Sequence, residues 1–307
     1  MAETVLATQA LTKRYSKRTV VNQVNFAVQK GQVYGLIGKN GAGKTTLLRM
    51  LTGQSVPDGG QVELFCETTN RGLQKARRRT GAIVETPGFY PFLSAAENLE
   101  YYRLQRGVPG KSCVYEALEL VDRAGAGKKK FKNFSLGMRQ RLGLALALMS
   151  QPELLLLDEP INGLDPQGIA HFRSLMQRLN RERGITVLIS SHILSELSAI
   201  ATNYGFLHEG IMLEQISAQS LREKCRECLD ISVDEPAKAV LILESRLNIA
   251  DYEVLPGGML RIYEKLNEPQ VITAALVSSG IAVTGIQLRK SELEDYFLSL
   301  IGGGKRA

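Results

Sequence analysis

Nowhere does this 307-residue chain hold the roughly 20 consecutive apolar residues that a membrane helix needs. Its longest apolar stretches, residues 142–149 and 154–157, fall far short, so the chain is not expected to cross a bilayer. Its start, MAETVLATQA, lacks the basic and then apolar plan of a secretory leader, and the expected location is the cytoplasm. Cysteine is scarce. Cys66, Cys113, Cys225 and Cys228 do not make a disulfide framework in a chain this long. Cys225 and Cys228 form a lone C-x-x-C without a second Cys or His pair nearby, and read as two incidental thiols on a helix. Apart from Phe131, which lies between Lys130 and Lys132, the basic runs at residues 128–130 with Lys132 and at residues 77–79 hold no aromatic. The net charge of +7 is therefore read as solvated surface, and no nucleic-acid partner is expected.

What is there is a soluble-type composition, 44% apolar and 22% charged, in a chain long enough for two domains with separate cores. Residues 4–10 and 20–28 alternate apolar and polar side chains, as antiparallel strands do. Val33-Tyr34-Gly35-Leu36-Ile37 is a continuous apolar run, the pattern of a buried central strand. It stops at a glycine-rich loop. Leu47, Leu48 and Leu51 then fall at helical spacing, with Gly53 closing the helix. Helical patterning fills some fifty residues from Ser94, where Ser94 and Glu97 have capping-box spacing. Apolar strands at 154–157 and 186–189 flank a helix at about 170–179, which implies a mostly parallel sheet. Beyond Leu221 the order strand (229–233), helix (237–247), hairpin (252–263), helix (271–279), strand (281–288) resembles a split βαβ, ferredoxin-like unit. A final helix at 292–301 precedes a tail expected to be disordered from residue 303.

The loop Gly38-Lys39-Asn40-Gly41-Ala42-Gly43-Lys44-Thr45 fits G-x-x-x-x-G-K-[ST] and lies between the expected strand and helix, where the pattern works. Glycines let successive backbone N–H groups face inward, and the helix that follows turns its positive end toward an anion. Phosphates suit such a site. Lys44 would reach the β- and γ-phosphates and the Thr45 hydroxyl would hold Mg²⁺. At the end of the apolar run 154–157, Asp158 and Glu159 project in different directions and so take different tasks. Asp158 suits the metal, and Glu159 the proton of an attacking water.

Phe134-Ser135-Leu136-Gly137-Met138-Arg139-Gln140 resembles the LSGGQ signature of the ABC ATPase family, and the resemblance spans roughly residues 4–215. In family order come Tyr15, matching the aromatic that stacks on adenine; Gly38 to Thr46, the Walker A loop; and Glu85 at the Q-loop position, with a role toward Mg²⁺ and the permease. The signature follows, then Walker B ending at Asp158 and Glu159. The D-loop Asn162-Gly163-Leu164-Asp165 and the switch His192 complete the series. Glu85 stands where most members have Gln, and Leu136 replaces the signature's first Gly. The segment from Glu85 through Thr86, Pro87 and Gly88 to Pro91 looks like the peptide-antibiotic export and immunity branch.

The resemblance implies a P-loop ABC ATPase domain at about residues 1–220. It would comprise a mixed sheet core, an antiparallel β subdomain and a helical subdomain at about 89–150. A small α+β ferredoxin-like accessory domain at 221–302 would follow. Ser135 opens an apolar helix and makes its N-terminus a second anion site. In the family such sites meet across a head-to-tail dimer, so Ser135 and Gly137 would serve the ATP bound by a second copy, and Asp165 of the D-loop would also be a nucleotide-binding residue. The chain would hydrolyse ATP at the inner face of the cell membrane. It would power a separate permease, docked near Glu85 and residues 89–106, for export of a peptide antibiotic or drug. Ribosomal or DNA-repair members of the family are the alternative, but they carry two cassettes or long heptad coils, and this chain has neither. A non-hydrolytic regulator would have no need of Glu159.

Overall fold

The computed structural model describes residues 3–85, 88–121, 129–289 and 293–303. The chain divides into two compact units, 1–218 and 219–307. In the first, two long strands, β1 (Thr4–Tyr15) and β2 (Arg18–Gln29), form a hairpin. β3 (Val33–Ile37), α1 (Lys44–Thr52), β4 (Gly59–Leu64), α2 (Asn70–Arg78) and β5 (Thr80–Ile83) follow. Next come α3 (Ala95–Arg106), α4 (Ser112–Leu120), a 3-10 turn at Phe131–Asn133 and α5 (Leu136–Leu148). The unit ends with β6 (Leu154–Asp158), α6 (Pro166–Arg183), β7 (Thr186–Ser191), α7 (Leu194–Leu197), β8 (Asn203–His208) and β9 (Ile211–Ser217).

β2, β1 and β4 make an antiparallel sheet, while six strands in the order β5-β6-β7-β3-β8-β9 make the central one. All neighbours in the central sheet pair parallel except β8 with β9. Every residue of β3 and β7 is buried, as are the four leucines of β6, because parallel strands are covered on both faces. The helix α1 buries Leu47, Leu48, Met50 and Leu51 within one core that also holds Leu6 and Val24 of the antiparallel sheet and Leu156 and Leu188 of the central sheet. The apolar side of α1 packs against both sheets, so the helix lies between the two layers. Its N-terminus is thereby fixed at the carboxyl end of β3, where the ligands of open α/β sheets bind.

Ser94 caps α3 as its spacing predicts. Its Oγ accepts from Glu97 N–H at 3.4 Å, and its own N–H donates to Glu97 Oε2 at 2.7 Å. Other boundaries differ from expectation. β1 continues to Tyr15 because its register shifts between Thr8 and Leu11, which breaks the alternation that a strand is read from.

After α8 (Ala218–Lys224) the second unit runs β10 (Cys228–Val233), α9 (Pro236–Ser245), β11 (Tyr252–Leu255), β12 (Met259–Ile262), α10 (Pro269–Ser278), β13 (Val283–Arg289) and α11 (Leu293–Gly303). Its antiparallel sheet has the order β11-β12-β10-β13. Leu229, Ile231, Leu243, Leu260, Ile272 and Leu276 form a core of its own. Asp230, only 5% exposed, is gripped by Arg261 at 2.8 and 3.1 Å and by Arg289 at 2.6 Å. The Arg261 guanidinium, with Arg289 beside it, holds the Asp230 carboxyl below the ordinary range. Two corrections belong here. Cys225 lies beyond α8 and Cys228 opens β10, so the C-x-x-C does not ride on one helix. The last helix takes in Gly303, where a disordered tail was expected to begin; residues 304–307, like Thr86, Pro87, Lys128 and Glu292, lie outside the described residues.

Candidate functional site

Three adjacent parallel strands deliver the site at their carboxyl ends. β3 ends in the glycine loop, β6 in Asp158 and Glu159, and β7 in Ser190, Ser191 and then His192. Gly38 N–H donates to Ser191 O at 3.2 Å, tying the loop to β7. Side chains have no room at two points. A Cβ on Gly38 would lie 2.5 Å from Leu207 O, and Gly43 combines φ +107° with a Cβ position 2.7 Å from Val20 O. Between them, Asn40 and Gly41 are exposed and Ala42 is buried. Thr46 is half-buried behind Thr45.

Lys44 is 6% exposed, and its ammonium folds back on its own loop, donating to Gly38 O at 2.5 Å and Lys39 O at 3.3 Å. Nζ also lies 3.1 Å from Glu159 Oε1. That contact is ionic and not a directed hydrogen bond, because Glu159 Oε1 is buried and accepts none. The other carboxylate oxygen, Oε2, is 2.7 Å from His192 Nδ1. Glu159 itself sits at φ +46°, a region that costs a non-glycine residue about 1–3 kcal/mol and that tends to collect at functional sites. Its backbone N–H donates to Ser190 Oγ at 2.9 Å, which helps hold the turn.

Asp158 accepts from two hydroxyls, Thr45 Oγ1 at 2.7 Å and Ser190 Oγ at 2.6 Å. The pair Thr45–Asp158 is an oxygen-only donor set of the kind Mg²⁺ prefers, with few protein ligands and room for phosphate and water. Among the described residues, no group of three or more His, Cys, Asp or Glu could hold a metal alone, so the loop and its bound phosphates would have to share it.

A cleft of about 370 Å³ between β6 and α5 is lined by Asp158, Glu159, Glu85, Arg139 and Gln140 among others. The hydrogen-bond partners of Asp158 are Thr45 and Ser190 and not Glu85, whose carboxylate pairs with Arg49 of α1. Tyr15, at the β1–β2 tip, is 45% exposed and has Lys13 Nζ 5.4 Å above its ring. The hairpin it ends leads into Val20, whose carbonyl faces Gly43.

Ser135 caps α5, its side chain accepting from Met138 N–H at 3.4 Å, and Asp165 caps α6 by accepting from Gly168 N–H at 2.8 Å. Ser135, Gly137, Asp165, Arg141 and His171 line a second cleft of about 320 Å³. Leu136 packs on the loop before α6, and a Cβ on Gly163 would come within 2.8 Å of its Cδ2. Gln140 Nε2 donates to Asn162 O at 3.2 Å, a second tie between the two segments.

Sequence reasoning missed Ser190 and Arg49. Ser190 had a signal: Ser190-Ser191 interrupts an apolar strand, and a buried hydroxyl needs a partner. Arg49 had none beyond its spacing from Thr45.

Residues 21–162 match the family described as ABC transporter. The chain is 44% identical over 301 residues to the bacitracin transport ATP-binding protein BcrA of Bacillus licheniformis, covering 98% of each chain. It is 44% identical over 214 residues to the lantibiotic transport ATP-binding protein SrtF of Streptococcus pyogenes, covering 69% of this chain and 90% of the other. Among solved structures, an ATP-binding subunit of an ABC transporter is 28% identical with a TM-score of 0.62, over 72% of this chain and 92% of that one. A dimeric post-hydrolysis ATP-binding cassette bound to ADP and Pi shares the fold, with a TM-score of 0.63 at 23% identity over 69% of this chain and 98% of that one. With an identity of this size over almost its whole length, the chain belongs to the ABC transporter family as one of its ATP-binding, ATP-hydrolysing subunits.

Proposed function

We propose that this subunit powers export of a peptide antibiotic of the bacitracin or lantibiotic kind through a separate membrane permease. The near-full-length likeness to a bacitracin transport ATP-binding protein supports that substrate class. No described helix is long and apolar enough to cross a membrane, so the pathway for cargo belongs to another chain, met at the inner membrane face. The second unit, with its βαββαβ order, is read as a ferredoxin-like accessory domain at about 221–302, after an ATPase domain at 1–220.

The observation that carries the catalytic reading is the chain of contacts Lys44–Glu159–His192. Arriving phosphates compete with Glu159 for the Lys44 ammonium and draw it onto the β- and γ-phosphates, leaving Oε1 free to take a proton from water attacking the γ-phosphorus. His192 holds the carboxylate from its other oxygen. The loop from Gly38 through Asn40, Gly41, Ala42 and Gly43 offers N–H groups to phosphate, Thr46 adds to that end, and Tyr15 stacks on adenine. Thr45, Asp158 and Glu85 would hold Mg²⁺, which neutralises phosphate charge when bound.

Ser135, Gly137 and Asp165 serve the nucleotide of a second copy in a head-to-tail homodimer. An ATP analogue with a photoreactive γ-phosphate tests the arrangement: it should label the peptide containing Ser135 only under dimer-forming conditions. Labelling confined to the peptide containing Lys44 would overturn it. Co-purification with a membrane protein supports the transport role; co-purification with RNA or DNA instead would favour the ribosomal or DNA-acting reading.

A further inference from the structure

The ion pair between Arg49 and Glu85 has no part in the reaction as described so far. Arg49 lies four residues beyond Thr45 on α1, and residues four apart share a helix face. One face of α1 therefore carries the Thr45 hydroxyl against Asp158 and, a turn further on, the Arg49 guanidinium against Glu85. Glu85 lines the same cleft as Asp158 and Glu159, and three carboxylates on one cleft repel unless cations stand beside them. Lys44 stands beside Glu159 and Arg49 beside Glu85. Glu85 is also held at φ +64°, where a non-glycine residue stays only if its surroundings keep it there.

We propose that Arg49 is a positioning residue that competes with the metal for Glu85. It keeps the carboxylate one helical turn from the Thr45–Asp158 pair, and Glu85 joins bound Mg²⁺ by leaving the guanidinium. This exchange rests on the reading of Glu85 as a metal-holding residue. A glutamine at position 85 would form no ion pair with Arg49, so the device belongs to the carboxylate by which this chain departs from the usual family pattern. Glu85 is 62% exposed, and ion pairs of that kind are weak, so the effect on metal affinity is about two- to fivefold.

Mn²⁺ binding to the full chain, read by electron paramagnetic resonance with a non-hydrolysable ATP analogue present, tests the exchange without turnover. Arg49→Met should bind Mn²⁺ about two- to fivefold more tightly. Glu85→Ala should bind it more weakly, and the double variant should match Glu85→Ala. Unchanged affinity in Arg49→Met overturns the competition while a weakened Glu85→Ala keeps Glu85 as a ligand. Unchanged affinity in Glu85→Ala overturns both. Tightening by Arg49→Met that persists in the Glu85→Ala background shows a bare charge effect and overturns the exchange. If Arg49→Met fails to fold, Arg49→Lys replaces it, because lysine keeps the charge and loses the fork, and an intermediate tightening is expected.

Discussion

His192 Nδ1 lies 2.7 Å from Glu159 Oε2, while Lys44 Nζ stands 3.1 Å from the opposite oxygen of the same carboxylate. One group thus has a fixed side and an exchangeable side. Glu159→Gln keeps the shape and removes the basicity, so ATP turnover should fall by roughly a hundredfold or more while ATP binding and dimer closure persist. His192→Ala should cost less, since the base survives it. Steady-state ATPase rates beside equilibrium nucleotide binding check both, and unchanged turnover in Glu159→Gln would refute its role as base.

Ser190 joins both acidic residues, donating to Asp158 Oδ1 and accepting from Glu159 N–H. Ser190→Ala should lower turnover by about tenfold, the loss of one hydrogen bond to a charged group. Ser190→Thr, which keeps the hydroxyl, should restore much of it. Equal losses in the two variants would show that size and not hydrogen bonding matters here.

Gly38→Ala would drive a methyl into the Leu207 carbonyl. The contact is with backbone, which cannot swing aside as a side-chain tip does. ATP affinity, measured with a fluorescent nucleotide, should fall at least tenfold while the protein stays folded by circular dichroism. Wild-type affinity in that variant would mean that the loop tolerates the displacement and does not set the phosphate site.

Glu97 predicts a pH dependence. The Ser94 backbone and side-chain hydrogen bonds, with Lys130 adding to them, bring its pKa down from 4.5 to about 2. A carboxyl depressed on folding adds stability that is fully present above its unfolded value and is lost as pH falls. The loss should therefore run from about pH 4.5 to about pH 2. Thermal midpoints of the wild type and Glu97→Gln should converge across that window on acidification; parallel curves would show that the cap carries no linked charge. At neutral pH, Ser94→Ala should cost about 1 kcal/mol.

The parts of the site that were legible from sequence are those whose chemistry is local. A phosphate loop needs its glycines, lysine and threonine in one contiguous run, so residues 38–45 announce themselves, as do Asp158 and Glu159 at the end of a leucine strand. The capping box of α3 was legible for the same reason. Contacts across strands were not. Ser190 meets Asp158 only because β6 and β7 are neighbours in register, and Arg49 meets Glu85 across 36 positions of chain. The strands β4, β5, β8 and β9 were not legible; β5 has only four residues, and in β9 the run Ile211-Met212-Leu213 is apolar without polar residues between. In the second unit the order of elements was visible because each strand and helix carries its own period and the hairpin its own turn.

Leu136 and Gly163 bear on engineering. A leucine occupies the signature position where the family motif has glycine, and its methyl lies where any side chain on Gly163 would begin. The two positions are therefore coupled in packing, bulk on one side matched by its lack on the other. A glycine in place of Leu136 would leave a hole beside Gly163, and a side chain on Gly163 would collide with Leu136; only changing both positions together should preserve the fit.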